Sequence, residues 1–132
     1  MKKRLLTFTL LFSTLMFSSP SYGEWTKVSK NLNGTTYYVD FERIRKHGGY
    51  VYFWELSDYL KPNKDGILSH KIYSEVDCKL FRFKTLSYSF HDDPMGRGTG
   101  EVSSSILKDW MYPSPDSVNE KLLKSVCSRF SQ

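Results

Sequence analysis

The sequence predicts an α+β domain: an antiparallel sheet of about five or six strands, packed by one C-terminal helix and stapled by one disulfide. Three observations predict it. Aromatic residues make up 16% of the chain, and they recur with a period of two between turn residues, which is the pattern of strands. Only the last stretch carries apolar residues at three- and four-residue spacing, the pattern of a helix. The chain has 2 cysteines and no third, an even count that reads as one bridge in an oxidising compartment.

The compartment follows from the first residues. Lys2-Lys3-Arg4 is followed by an uncharged run over residues 5–17, and Ser21 and Gly23 place small residues before Glu24. These are the three parts of a secretory signal peptide, and the apolar run is too short for the ~20 residues that a bilayer core requires. Residues 1–23 are therefore expected to be a leader and residues 24–132 a single domain. Cleavage removes three of the 19 basic residues and none of the 14 acidic ones, so the formal charge falls from +5 to +2. Nucleic-acid binding then loses its electrostatic footing. No later segment is apolar enough to span a membrane, and no cysteine stands near Glu24 to carry a lipid.

The elements follow in order. Residues 25–28 form a first strand, and Asn33-Gly34 is a hairpin-turn dipeptide. Residues 35–41 form a second strand, with Tyr37, Val39 and Phe41 on one face. Residues 42–47 are charged and read as a helical turn carrying Ile44 inward. Gly48-Gly49 then leads into residues 50–60, YVYFWELSDYL, the strongest strand. Its Tyr50, Tyr52, Trp54 and Leu56 share one face, and Val51 and Phe53 the other; a strand apolar on both faces is usually central. After the turn at residues 62–66, residues 67–78 return with Leu68, His70, Ile72, Ser74, Val76 and Cys78 on one face, and residues 80–90 follow. These two form a long hairpin or one strand broken near Cys78. Residues 91–100, HDDPMGRGTG, are turn formers; Val102 resumes an edge strand, and Ile106, Leu107 and Trp110 make a short apolar segment.

Ser117 and Glu120 fit a capping box, and Val118, Leu122, Leu123, Val126, Cys127 and Phe130 make the apolar stripe of the final helix. Cys127 on that stripe pins the helix to the sheet through Cys78. Closing a loop of this length contributes on the order of 4 kcal/mol in the chain-entropy model.

The sequence is poor in catalytic signals. His47, His70 and His91 are scattered and read as three partly exposed histidines. No GxSxG elbow occurs. Asp92-Asp93 lacks the alternation of a calcium loop, and Gly96-Arg97-Gly98 lacks the Lys-Ser/Thr of a phosphate cradle. No cofactor and no metal are predicted, and no enzyme. Two surface features remain: a small basic cluster of Arg43, Arg45, Lys46 and His47, and the aromatic concentration at Tyr50, Tyr52, Trp54 and Tyr59. One helix covers one side of a sheet, so loops, residues 106–110 or a second copy must shield whichever face of residues 50–60 it leaves. The open face or edge is therefore expected to take a protein partner or form a homodimer.

The order of Trp25, Tyr38-Val39-Asp40, Trp54, Asp77-Cys78, Gly98, Gly100, Trp110, Pro115 with Ser117, and a last-helix Cys127 resembles the surface-adhesin protein E family. The resemblance spans nearly the whole mature chain. It implies an antiparallel sheet with a helix and a disulfide, export to the periplasm or the outer-membrane surface, and binding of host matrix or serum proteins, with pairing into dimers in some members. No ligand-binding residue carries over. An envelope accessory protein with a bacterial partner is the alternative, and a small envelope hydrolase ranks last.

Overall fold

Alternation of apolar and polar residues builds the sheet, and a computed structural model describes it over residues 24–103 and 109–130. The strands are β1 (Thr26–Lys30), β2 (Thr36–Val39), β3 (Arg45–His47), β4 (Tyr50–Asp58), β5 (Ser69–Asp77), β6 (Arg82–His91) and β7 (Gly100–Ser103). They pair antiparallel in the order β1-β2-β4-β5-β6-β7, with β3 alongside the other half of β4. The helix α1 (Val118–Phe130) closes the chain. Ser117 caps it, its Oγ accepting from the Glu120 N–H at 3.1 Å, while the Glu120 carboxylate accepts from the Asp116 N–H at 3.0 Å.

The register decides which side chains share a face. Val51 stands opposite Val76, which stands opposite Phe83, and Val39 lies on the same side. Onto this side α1 lays Leu122, Leu123, Val126 and Cys127, and these residues with Phe53 make the buried core. The Cys78–Cys127 disulfide, Cα–Cα 5.6 Å, ties α1 to the turn that follows β5. Asp77 shapes that turn. Its Oδ1 accepts the Lys79 and Leu80 amides at 3.1 and 3.2 Å, and its Oδ2 accepts from the Arg82 guanidinium at 2.9 Å. Burial alone would raise this carboxyl, but the Leu80 amide, Arg82 and the Lys79 amide outweigh it and hold Asp77 below the usual carboxylate range. Asp-Cys is thus a structural pair: one residue folds the turn, and the next bridges from it.

The other side of the sheet is covered at its opposite end by the 92–99 loop. Asp58 Oδ1 accepts the Met95 amide at 2.7 Å, and Ser69 Oγ accepts the Gly96 amide at 2.8 Å while donating to the Asp93 carbonyl at 2.7 Å. Gly96 lies so close that a Cβ there would stand 3.3 Å from Leu56 Cδ1 and 3.0 Å from Lys71 Cδ, at a positive φ of 69°. Leu56 is fully buried beneath this loop. Gly100 lies flat against the His91 ring, where any Cβ would collide with it.

Several expectations are corrected. Residues 45–47 are not helical: a 3-10 turn at Phe41–Arg43 ends before Ile44, and Arg45–His47 pair with Tyr52, Val51 and Tyr50. The sheet has seven strands because of this short addition. Of the two arrangements open for residues 67–78 and 80–90 the hairpin forms: β5 ends at Asp77, Phe81 lies in the turn at positive φ, and β6 begins at Arg82. His91 is 5% exposed, not a surface residue, because side-chain-free Gly100 lets the chain close over its ring. The leader at residues 1–23 and the apolar Ile106 and Leu107 lie outside the described residues.

Candidate functional site

The two covers sit on opposite faces and at opposite ends, so each face keeps a half-exposed patch among the described residues. On the face away from α1 the patch begins with β4 and β5. Trp54 lies opposite Tyr73, and Tyr52 opposite Glu75. The Trp54 and Tyr73 rings are 4.8 Å apart, and Tyr73 stacks on Tyr52 at 6.2 Å. The Tyr52 hydroxyl donates to Glu75 Oε2 at 2.9 Å, and burial followed by that carboxylate raises the phenol above its ordinary range. All three rings are half-buried. A shallow groove beside them is lined by Arg45, Lys46, His47, Tyr52 and Tyr73.

Tyr50 extends the row in a different way. Its ring lies 5.3 Å from Trp110, and the Arg82 guanidinium and Lys84 ammonium stand 4.4 and 4.5 Å from the indole centroid. Trp110 gets there because Met111 exchanges two backbone hydrogen bonds with Phe83, both 2.9 Å, which anchors the chain along the β6 edge.

The basic cluster seen in the sequence is divided by the fold. Arg45 and His47 face the aromatic row, opposite Tyr52 and Tyr50. Lys46 points the other way, its ammonium 6.0 Å from the Phe130 ring on α1. Arg43 is taken up by Asp40, Nε to Oδ2 2.7 Å, and Asp40 is fully buried with its Oδ1 unpartnered among the described residues. Lys71 lies on the same face between Leu56 and the loop; burial, then the Arg43 charge, lower its ammonium below the ordinary range. Tyr52, Trp54 and Arg45 are thus brought together, Tyr50 joins Trp110, and Arg43 and Lys46 go elsewhere. Sequence reasoning missed Tyr73 and Lys71, although their positions two apart on β5 carried the signal.

The second patch lies on the α1 side, past the end of the core. Tyr59, His70, Phe90 and Tyr88 form a chain of ring contacts with centroids 5.5, 5.6 and 5.2 Å apart. The Tyr59 hydroxyl and His70 Nδ1 are hydrogen-bonded, and burial lowers the His70 imidazole and raises the Tyr59 phenol. Glu55, opposite Val39 and Ile72, is pushed up to about 7 by burial.

One Ser–His contact exists among the described residues, Ser89 Oγ to His91 Nε2 at 2.8 Å, but both groups are buried and Nδ1 faces the Gly98 carbonyl, not a carboxylate. Among the described residues no three His, Cys, Asp or Glu converge as metal ligands. No helix of the described residues is long and apolar enough to cross a membrane.

Comparison with known proteins agrees with this architecture. The profile of the family described as "Surface-adhesin protein E" matches residues 25–128. Among solved structures, crystal form II of Haemophilus influenzae protein E superposes with a TM-score of 0.66 at 18% identity, covering 87% of this chain and 95% of that one. Another structure of Haemophilus influenzae protein E gives 0.61 at 17% identity, covering 86% of this chain and 90% of that one. Protein E from non-typeable Haemophilus influenzae gives 0.60 at 17%, covering 86% and 82%. No curated protein matches the chain.

Proposed function

This chain belongs to the surface-adhesin protein E family, and from that premise we propose that it is an exported, non-catalytic module that binds another protein through the aromatic face of its sheet. The observation that carries the reading is the half-buried triad Tyr52–Tyr73–Trp54, which neither α1 nor the 92–99 loop covers. Aromatic side chains and arginine are the types enriched at the centres of protein interfaces, and here Arg45 borders the rings. Residues 1–23 direct export. The partner is a host matrix or serum protein if the module is displayed, and this face or a sheet edge pairs two copies if it dimerises.

A second reading, an envelope accessory protein with a bacterial partner, rests on one observation: Cys78 and Cys127 are bridged to each other, so neither is free to hold a lipid. Protease treatment of intact cells separates the two, digestion supporting display and protection supporting the accessory role. Binding itself is tested by capture of the mature chain on immobilised matrix and serum proteins and on an envelope extract, beside a Tyr52→Glu variant. The expected result is capture by at least one of them, weakened at least tenfold by the variant. No capture, or capture indifferent to Tyr52→Glu, overturns the reading.

A further inference from the structure

Two turns of the same build meet at one end of the sheet and wall a groove on the α1 side. Asn31 Oδ1 accepts from the Asn33 and Thr35 amides at 2.9 and 3.0 Å, and Asn63 Oδ1 accepts from the Asp65 and Ile67 amides at 2.8 and 3.0 Å. Each turn has a glycine in fourth place, Gly34 and Gly66, whose amide donates to the carbonyl of the leading Asn. Thr36 stands opposite Asp58, which sets the turns side by side, and a Cβ on Gly34 would stand 2.9 Å from Leu60 Cδ2. A cleft of about 470 Å³ there is lined by Asn33, Thr35, Tyr59, Leu60, Lys61 and Asn63. Beyond the second turn, a cleft of about 320 Å³ is lined by Asn63, Asp65, Ile67, Phe90 and Glu101. Asn63 borders both. The ring contacts Tyr59–His70–Phe90 run from one cleft to the other, and the Tyr59 hydroxyl donating to His70 Nδ1 fixes two of those rings.

We propose that this groove binds an uncharged oligosaccharide of two or three rings, its C–H faces on Tyr59 and Phe90 and its hydroxyls on Asn33, Asn63, Asp65 and Glu101. The groove lies on the face opposite the Tyr52–Tyr73–Trp54 triad, so it does not depend on the protein-binding reading. Both clefts have the size of small-ligand sites, roughly 300–1,000 Å³. Each sets hydrogen-bonding groups around an aromatic ring, so a chain of like units suits the pair. Planar amides and carboxylates engage neighbouring hydroxyls two at a time, and the rings cover the apolar face of a sugar. Charge along the groove is mixed. The first cleft has Lys61 and no carboxylate, whereas the second has Asp65 and Glu101, with Asp92 at its rim, and Lys64 stands on the turn between them. A chain of either sign therefore meets its like at one end, and an uncharged one does not. The turns are closed by their own hydrogen bonds, so little ordering is left for binding to impose.

The test titrates the mature chain, followed by NMR of its backbone amides, with two neutral trisaccharides. Triacetylchitotriose has the linkage of bacterial envelope glycan strands, and lacto-N-triose that of host surface glycans; the tighter of the two assigns the source. N-acetylglucosamine, a heparin trisaccharide and a lysine-rich peptide are titrated beside them. At least one neutral trisaccharide is expected to shift Asn33, Asn63 and Glu101 with a millimolar or smaller Kd, and the single sugar to bind about tenfold more weakly because it fills one cleft. Asn33 and Glu101 are exposed, and an Asn33→Ala/Glu101→Gln double variant is expected to keep its urea midpoint and lose about tenfold in trisaccharide affinity. Tyr52→Glu, on the other face, is expected to bind the sugar as wild type does. Absence of shifts with both trisaccharides overturns the proposal, as does a single sugar that binds equally well. Tighter binding of heparin or the lysine-rich peptide at these residues also overturns it, as does a trisaccharide indifferent to the double variant. Loss of protein capture in Tyr52→Glu leaves the groove untouched, and a failed sugar titration leaves the protein-binding face untouched.

Discussion

Strand β4 is read twice, once on each face, and the two readings differ in kind. On the α1 side Val51 is 3% exposed and Phe53 is fully buried, closed in by Leu122, Leu123 and Val126. On the other side Tyr50, Tyr52 and Trp54 alternate with them and stay half-exposed, with polar tips and charged neighbours. The composition fits the split. The buried face uses residues with no polar atom to satisfy, whereas the open face uses rings that give contact area and keep a hydroxyl or indole N–H for water or a partner. One strand therefore carries the core on one side and the proposed recognition surface on the other, and substitutions on the two sides should separate stability from binding.

The largest effect is expected at the centre of the closed face. Phe53→Ala should destabilise by about 3–5 kcal/mol, read as a lower urea midpoint, since both the buried ring and its packing are lost. A loss below about 1 kcal/mol would mean that α1 does not seal this face. The bridge comes next. Cys127→Ala should cost roughly 2–5 kcal/mol, because the cross-link spans 49 residues and secures the helix that covers Phe53. Equal midpoints for wild type and variant, or two alkylatable thiols in the folded exported protein, would contradict it.

A smaller effect depends on pH. Glu55 lies at the margin of the closed face, and burial raises it from an ordinary 4.5 to about 7. Between those values the folded chain holds a proton that the unfolded chain has released. Stability therefore falls as pH rises through this window, by at most about 3 kcal/mol. Below the window both states are protonated and the effect vanishes. Glu55→Gln should match wild type at pH 4 and exceed its midpoint at pH 8. A gap of the same size at both pH values would rule out titration of Glu55 as the cause.

Most of the closed face was legible in the sequence, and for a physical reason. Val51, Phe53, Val76 and the α1 stripe are periodic, and periodicity survives without any knowledge of what packs on what. The disulfide was legible because two cysteines behind a leader-like N-terminus leave one pairing. What stayed hidden depends on contacts between distant residues. The 92–99 loop covers Leu56 through Asp58 and Ser69, and nothing in HDDPMGRGTG announces that docking. The basic cluster turns on its period: a helical turn gathers neighbouring residues on one side, whereas the strand sends Arg45 and His47 one way and Lys46 the other. The same alternation along β5, once paired with β4, sets Tyr73 opposite Trp54.

The smallest stability effect is the sharpest test of the comparison. Tyr52 lies between Val51 and Phe53 in sequence, yet its ring is bounded by Tyr73, Arg45 and the Glu75 carboxylate rather than by the core. Tyr52→Glu removes one hydrogen bond to Glu75 and sets a like charge opposite it on the neighbouring strand, a surface repulsion of about 0.2–1 kcal/mol. Arg45 on the other flank offsets part of that. The variant should therefore fold, keep its disulfide, and lose about 1–2 kcal/mol in a urea titration, while the same substitution at Phe53 buries an unpaired carboxylate and should prevent folding. The two positions are adjacent and the introduced residue is identical, so the face of the sheet, and with it the cover by α1, is what differs. Similar losses at both positions would show that the aromatic side is a second core, sealed by the chain itself, and would leave no recognition surface there. A stable Tyr52→Glu that no longer captures its partner would assign binding to the face α1 leaves bare.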